Sequence, residues 1–101
     1  MSESAVRFGS PGQLQLTGVL DYRSGPQLRK QGAALIKSSD APNLVLDCSG
    51  VVKSSSVGLA LLLAFMRDAR DAGKSLSVQS LPEDMREIAQ VSGLTELLNI
   101  H

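Results

Sequence analysis

The sequence predicts an α/β domain with a mixed, partly parallel β-sheet and the element order β-β-α-β-α-β-α. Residues 13–17 alternate polar and apolar side chains, which is typical of a half-buried strand, and residues 43–48 form a continuous apolar run typical of a central strand. The later strands are separated by helical segments, and strands joined through helices run parallel. A chain of 101 residues has the size of one domain, so we expect a single domain over residues 1–101.

The N-terminal part of the chain predicts a β-hairpin followed by a helix. Residues 5–8 are expected to form an edge strand that pairs with residues 13–17 across the turn at Pro11-Gly12. Ser24-Gly25-Pro26 then predicts a helix start, because a serine hydroxyl can cap free backbone N–H groups and proline is tolerated in the first turn. This helix is expected to end near residues 38–39.

The second half of the chain predicts two further helices around a short strand. A long helix is expected over residues 57–72, ending at Gly73, and a strand at residues 76–78. The spacing of Ser80 and Glu83 is that of a capping box at the start of the third helix. The apolar tail, residues 94–100, is expected to pack back on the domain as a helical turn.

Composition argues against several classes of function. Ten basic and ten acidic side chains cancel, so nothing drives the chain toward nucleic acid, and the N-terminus lacks the pattern of a secretory signal. The longest apolar stretch, residues 57–66, is about half the length of a membrane-spanning helix. With one cysteine, Cys48, and one histidine, His101, we expect no disulfide, metal, cofactor or catalytic site. Cys48 is expected to be a small core residue.

The most informative feature is a run of three serines, Ser54, Ser55 and Ser56, before the long helix. One of them can be the helix N-cap; alternatively, an exposed hydroxyl here can bind a partner or carry a phosphate, which the helix dipole and Lys53 would favour. The helix itself is apolar on more than one face. We expect a core stripe, and on the opposite face a second apolar surface, covered either by another part of the domain or by a partner protein. The core stripe is Leu59, Leu62, Leu63, Met66 and Ala69; the second surface is Ala60, Leu61 and Ala64.

Several segments together resemble the STAS domains, the family of bacterial anti-sigma-factor antagonists. Residues 46–51 (LDCSGV) and 55–59 (SSVGL) resemble the family's strand end and helix start. Residues 16–21 (LTGVLD) are similar to its Gly-x-Leu-Asp segment, and Gly93-Leu94 to its C-terminal Gly-Leu. The resemblance covers nearly the whole chain. It implies a STAS-like mixed, partly parallel sheet of four to five strands with helices packed on it, and a non-enzymatic binding module.

Within this family the sequence resembles the STAS subunits of the Mla phospholipid-trafficking ABC transporters, whose relatives in pseudomonads belong to a toluene-tolerance operon. The likeness is carried by residues 56–63 (SVGLALLL) and by the first four residues, MSES. It implies a cytoplasmic protein, peripheral to the inner membrane, that binds an MlaF-like ATPase subunit within a complex with permease and substrate-binding subunits. The exposed apolar surface also allows a homodimer when the protein is isolated.

The resemblance also implies a partner-binding site at the start of the long helix. Ser56 falls where the antagonists carry their phosphorylated serine and where the transporter subunits carry a hydroxyl residue at the ATPase contact. However, Ser55 replaces the usual aspartate and Val57 replaces a second serine. These departures favour constitutive binding over a phosphorylation switch at Ser56, which stays as the alternative. The expected partner-binding residues are Ser55, Ser56, Val57, Ala60, Leu61 and Ala64.

Overall fold

A computed structural model describes residues 4–54 and 56–98 and shows the predicted element order. The strands are β1 (Ala5–Phe8), β2 (Gln13–Leu20), β3 (Asn43–Ser54) and β4 (Ser75–Gln79), and the helices are α1 (Gly25–Ser38), α2 (Ser56–Asp71) and α3 (Glu83–Val91). The four strands form one sheet in the order β1-β2-β3-β4. β1 pairs antiparallel with β2, whereas β2, β3 and β4 run parallel. The mixed, partly parallel sheet is therefore confirmed.

β2 and β3 are both longer than the sequence predicts. β2 continues to Leu20 rather than ending at residue 17, and β3 continues to Ser54 rather than ending at residue 48. The register between them shifts twice, and each time β3 contributes one extra residue, which is the geometry of a β-bulge. At the first shift Asp47 Oδ1 accepts a hydrogen bond from the Ser49 backbone N–H at 2.9 Å.

All three helices pack on one face of the sheet. Leu14, Leu16 and Leu20 of β2 point into a core cluster that also contains buried residues from each helix. The intervening β2 residues lie on the other face, where Gln15 is exposed. Because the strand order advances in one direction, right-handed crossovers place α1 and α2 on the same side. The domain therefore has two layers, and the second sheet face is polar.

α1 begins directly after Ser24 as predicted, but neither of the two predicted side-chain caps forms. The Ser24 side chain makes no capping bond to α1; its hydroxyl donates to the Val19 carbonyl oxygen at 2.8 Å and accepts from the Asp21 N–H at 3.1 Å. Ser80 cannot form the capping box because the residue that precedes α3 is Pro82, two positions later. Instead Ser80 has a φ of +58°, a left-handed backbone conformation that turns the chain from β4 toward α3.

The buried face of α2 is broader than the predicted core stripe. Leu59, Leu62 and Ala69 are buried as expected, but Leu63 and Met66 are only half-buried. Of the two ways in which the second apolar surface could be covered, the domain itself covers Leu61, which is 5% exposed and belongs to the core. The physical reason is the closeness of α1, which covers a second side of α2.

A glycine lets α1 approach α2. A Cβ atom on Gly32 would lie 2.5 Å from Cζ and 3.0 Å from Cδ1 of the Phe65 ring, which is 1% exposed. Only a residue without a side chain leaves room for the ring at this point. The contact draws α1 against the side of α2 that carries Leu61 and Phe65.

Two smaller expectations about the core agree with the structure. Cys48 is fully buried in β3, and burial raises the pKa of its thiol to about 12, which is the behaviour of a small core residue rather than a reactive one. The C-terminal segment forms a turn in which Leu98 N–H donates to the Leu94 carbonyl oxygen at 2.9 Å. Leu98 is completely buried, so the tail packs back on the domain. Residues 99–100 of this predicted segment, and His101, lie outside the described residues.

Candidate partner-binding groove

The serine run belongs to the end of the sheet at which the three parallel strands have their carboxyl ends. At this end of the sheet, β2 leads to α1, β3 to α2 and β4 to α3. In parallel α/β sheets, the ends of the strands are where binding sites are usually built. Ser54 is the last residue of β3 and Ser56 the first residue of α2, while Ser55 lies outside the described residues.

Two glycines allow the helix starts to lie close together at this end of the sheet. A Cβ on Gly58 would meet the Ser54 hydroxyl and would lie 3.0 Å from Cε of Met85, so the first turn of α2 sits tightly against β3 and α3. A Cβ on Gly25 would lie 3.3 Å from Cγ1 of Val57, which shows how closely α1 approaches the same turn. Gly58, the glycine of the SSVGL segment, therefore permits this close packing.

A shallow apolar groove of about 260 Å³ runs between the first turns of α1 and α2. We call it the α1–α2 groove. It contains four of the six side chains that the sequence predicts for partner binding. The lining residues are Gly25, Pro26, Arg29, Val57, Ala60, Leu61 and Ala64.

The predicted residues take different positions in this groove. Ala60 is exposed, and Val57 and Ala64 are half-buried, so all three present apolar surface to solvent. Leu61 lies deeper because it is part of the core. Ser56 is exposed at the start of α2 and does not line the groove. The site is therefore an apolar groove with a serine hydroxyl at the first residue of one of its walls.

One ion pair bridges the two walls of the groove. The Arg29 guanidinium on α1 donates from Nε to Asp68 Oδ2 at 3.1 Å and from Nη2 to Asp68 Oδ1 at 3.0 Å. Two parallel bonds of this kind fix the relative position of two side chains better than a single contact does. Because Arg29 is 44% exposed, the pair contributes little to stability.

The loop that precedes α1 (residues 21–24, the β2–α1 loop) was not predicted as part of a site. Asp21 Oδ1 accepts hydrogen bonds from the Arg23 N–H at 2.9 Å and the Ser24 N–H at 3.0 Å. These bonds, above all the one from Ser24, lower the pKa of the Asp21 carboxyl. The loop carries Tyr22, which is 72% exposed.

Two further kinds of feature are absent from the part of the chain that the structure describes. Within residues 4–54 and 56–98, no three histidine, cysteine or acidic side chains lie close enough to hold a metal ion. No helix in this part of the chain is both long and apolar enough to cross a bilayer. An apolar groove beside an exposed hydroxyl suits the docking of a protein surface.

The fold and the groove define a two-layer α/β binding domain, and comparison with known families makes the assignment narrower. The family model described as "Mlab, STAS domain" matches residues 5–99. The chain therefore belongs to this STAS family, whose members are generally non-catalytic regulatory or binding domains.

Solved structures with the same fold come from two kinds of system. A chain of the Acinetobacter MlaFEDB complex in an ATP-bound conformation shares 26% sequence identity, with a TM-score of 0.78 over 88% of this chain and 93% of that one. An anti-sigma factor antagonist from Mycobacterium paratuberculosis shares 22% identity, with a TM-score of 0.78 over 98% and 84% of the two chains. The phosphorylated Bacillus cell fate determinant SpoIIAA shares 19% identity, with a TM-score of 0.66 over 95% and 88%. The latter two likenesses show the fold alone.

Proposed function

We propose that this protein is a non-enzymatic regulatory subunit that binds the cytosolic ATPase of a phospholipid-trafficking ABC transporter and supports its assembly or activity. The observation that carries the proposal is the α1–α2 groove, which is lined by Val57, Ala60 and Leu61 of the SVGLALLL segment. The likeness to a chain of the Acinetobacter MlaFEDB complex supports the transporter as the setting. The partner is then an MlaF-like ATPase in a complex with permease and substrate-binding subunits.

The shape of the groove favours a helix or a protruding apolar side chain of the partner. Ala60 and Ala64 lie one helical turn apart on α2, and their small side chains permit close approach of another backbone. Leu61 forms part of the groove lining and is already packed, so docking requires little rearrangement. A pre-formed apolar surface loses less conformational entropy on binding than a mobile one.

Ser56 supplies the polar part of this interface. Its side chain is exposed at the first residue of α2, where a hydroxyl can donate to a partner carbonyl or accept from a partner N–H. A hydroxyl buried by an apolar partner without a hydrogen bond would cost free energy, so Ser56 also selects for a partner that offers one. This role needs no phosphorylation, in keeping with the valine at position 57.

The same proposal places the protein in the cytoplasm, held at the inner membrane through its partner rather than by a membrane segment of its own. Outer-membrane lipid asymmetry is the process that such a transporter serves. The protein contributes binding, and its partner supplies ATP hydrolysis.

Co-purification with the ATPase subunit tests the proposal. Ser56→Arg places a long charged side chain at the edge of the groove, and we expect it to abolish co-purification while the circular dichroism spectrum stays unchanged. Ser10→Arg is the matched control, because Ser10 is exposed in the β1–β2 turn, at the opposite end of the strands. Retained binding by Ser56→Arg would refute the proposal.

An anti-sigma-factor antagonist switched by phosphorylation of Ser56 is the second candidate. The exposure of Ser56 at a helix N-terminus favours it, because the helix dipole stabilises a phosphate there. It predicts a phosphate mass on the peptide containing Ser56 in cells, together with binding to a serine kinase. Persistent absence of that mass under stress would remove this candidate.

A further inference from the structure

The β2–α1 loop holds an exposed aromatic side chain on a rigid backbone beside the groove. Tyr22 is the only tyrosine of the chain and is 72% exposed. Tyrosine and arginine are enriched among the residues that dominate the energy of protein interfaces. Here Arg23 follows Tyr22 directly, and its guanidinium lies 5.7 Å from the centre of the tyrosine ring.

The loop is fixed although its two largest side chains face solvent. Besides the two bonds accepted by the Asp21 carboxylate, the Asp21 carbonyl oxygen accepts from the Gly25 N–H at 2.9 Å, and the Ser24 hydroxyl donates to the Val19 carbonyl oxygen at 2.8 Å. A loop tied in this way holds Tyr22 in place before any partner arrives, so little entropy is lost on binding.

The loop is continuous with the α1–α2 groove. Gly25 and Pro26, which follow the loop directly, line the groove, and Gly25 approaches Val57 at the start of α2. Tyr22 precedes the groove-lining Gly25 by three residues, so a partner that extends from the groove past the start of α1 reaches the loop. This placement argues for one extended interface rather than two separate ones.

We propose that Tyr22 and Arg23 form a second contact point for the ATPase subunit, with the tyrosine ring packing on an apolar side chain of the partner and Arg23 pairing with a partner carboxylate. Asp21 acts as a positioning residue for both. The inference rests on the proposed function, since it assigns the loop to the same partner. The Arg23 Nε donates to the Tyr22 hydroxyl at 3.3 Å, which leaves the two Nη groups of an exposed side chain for the carboxylate.

The test is the Kd of the purified ATPase subunit for a set of loop variants. We expect Tyr22→Ala to weaken binding by about tenfold or more, and Tyr22→Phe, which keeps the ring, to weaken it by less than about threefold. Phe8→Ala is the matched control, because Phe8 is 51% exposed and lies at the opposite end of the strands. It is expected to leave Kd unchanged.

A double-mutant cycle tests the role of Asp21. If its carboxylate acts by holding Tyr22, Asp21→Ala weakens binding in the wild type and adds little in the Tyr22→Ala background. Full additivity would overturn the positioning role. Wild-type affinity in Tyr22→Ala, with binding still lost in Ser56→Arg, would overturn the inference and leave the proposed function standing. Undiminished binding by Ser56→Arg would overturn the proposed function itself.

Discussion

Replacing Gly32 with alanine tests whether the closeness of α1 and α2 is set by a glycine facing an aromatic ring. The added Cβ would lie 2.5 Å from Cζ of Phe65, whereas ordinary contacts begin near 3.4 Å. Phe65 is 1% exposed, so the ring cannot swing into solvent and either it or α1 must move. Overpacking of this kind costs about 1–3 kcal/mol, and the severity of the overlap places the cost in the upper half of that range.

Alanine also favours the helix over glycine by about 1 kcal/mol. The net expectation is that Gly32→Ala lowers the free energy of unfolding by about 1–2 kcal/mol, which corresponds to a drop in Tm of about 5–15 °C for a domain of this size. Urea unfolding followed by circular dichroism measures the first quantity and a thermal melt the second. Ala34→Gly, at an exposed position of the same helix, measures the helix-propensity contribution alone.

A second-site variant isolates the contact itself. Phe65→Leu removes the ring, so Gly32→Ala should be much less harmful in that background, with a favourable coupling of about 1 kcal/mol or more. A Gly32→Ala protein as stable as the wild type, or equal effects in both backgrounds, would refute the idea that this glycine sets the helix spacing.

Three other predictions concern the packing around the groove and the core. Gly58→Ala should lower the free energy of unfolding by about 1–3 kcal/mol, because the new methyl group would press on Met85 and the end of β3; unchanged urea unfolding would contradict this. Lys74→Met should cost about 1–3 kcal/mol in the same assay, because the ammonium donates to the final carbonyl groups of α1, including Ile36 O at 2.5 Å; an unaltered midpoint would show that this cap is dispensable. Between pH 9 and 12 the unfolded Cys48 thiol loses its proton, whereas burial keeps the folded thiol neutral by raising its pKa to about 12. Stability should therefore fall with rising pH, by at most about 1.4 kcal/mol per pH unit from this group, and a Cys48→Ala protein with the same alkaline slope would contradict the assignment.

The sequence predicted the sheet well because its patterns report local burial. The alternation at residues 13–17 and the apolar run at 43–48 each reflect a strand with a covered face, and both strands are present. The pattern failed where the strands continue. Bulges carry β3 on to Ser54, and a bulge puts an extra residue into the alternation, so a period of two no longer identifies the strand.

The site was predicted in part, and the missing part depended on tertiary contacts. Ser56 and the small residues of α2 were found from the resemblance and from the apolar character of the helix. The sequence left open whether the domain or a partner covers Leu61, because a helical wheel of α2 contains no information about α1. The contact between Gly32 and Phe65 brings the two helices together, and these residues are far apart in the sequence.

The exposure of Tyr22 was not predicted from the sequence for a different reason. In the sequence it is one aromatic residue between a strand and a helix, and such residues commonly pack into a core. Its exposure follows from the Asp21 side chain, which accepts two backbone bonds and fixes the loop with Tyr22 outward. An aspartate two and three residues before free N–H groups is the signal that identifies such a turn.

The most direct test of the central claim uses the unreactive native thiol. Because Cys48 is fully buried and its pKa is about 12, a Ser56→Cys variant has one thiol that reacts readily with maleimide. Our account predicts that a saturating amount of the ATPase subunit slows labelling of that thiol by about tenfold or more, while the thiol of a Ser10→Cys control at the opposite end of the strands reacts at the same rate with and without the partner. Equal labelling rates for the Ser56→Cys variant in the free and ATPase-bound protein would contradict the account.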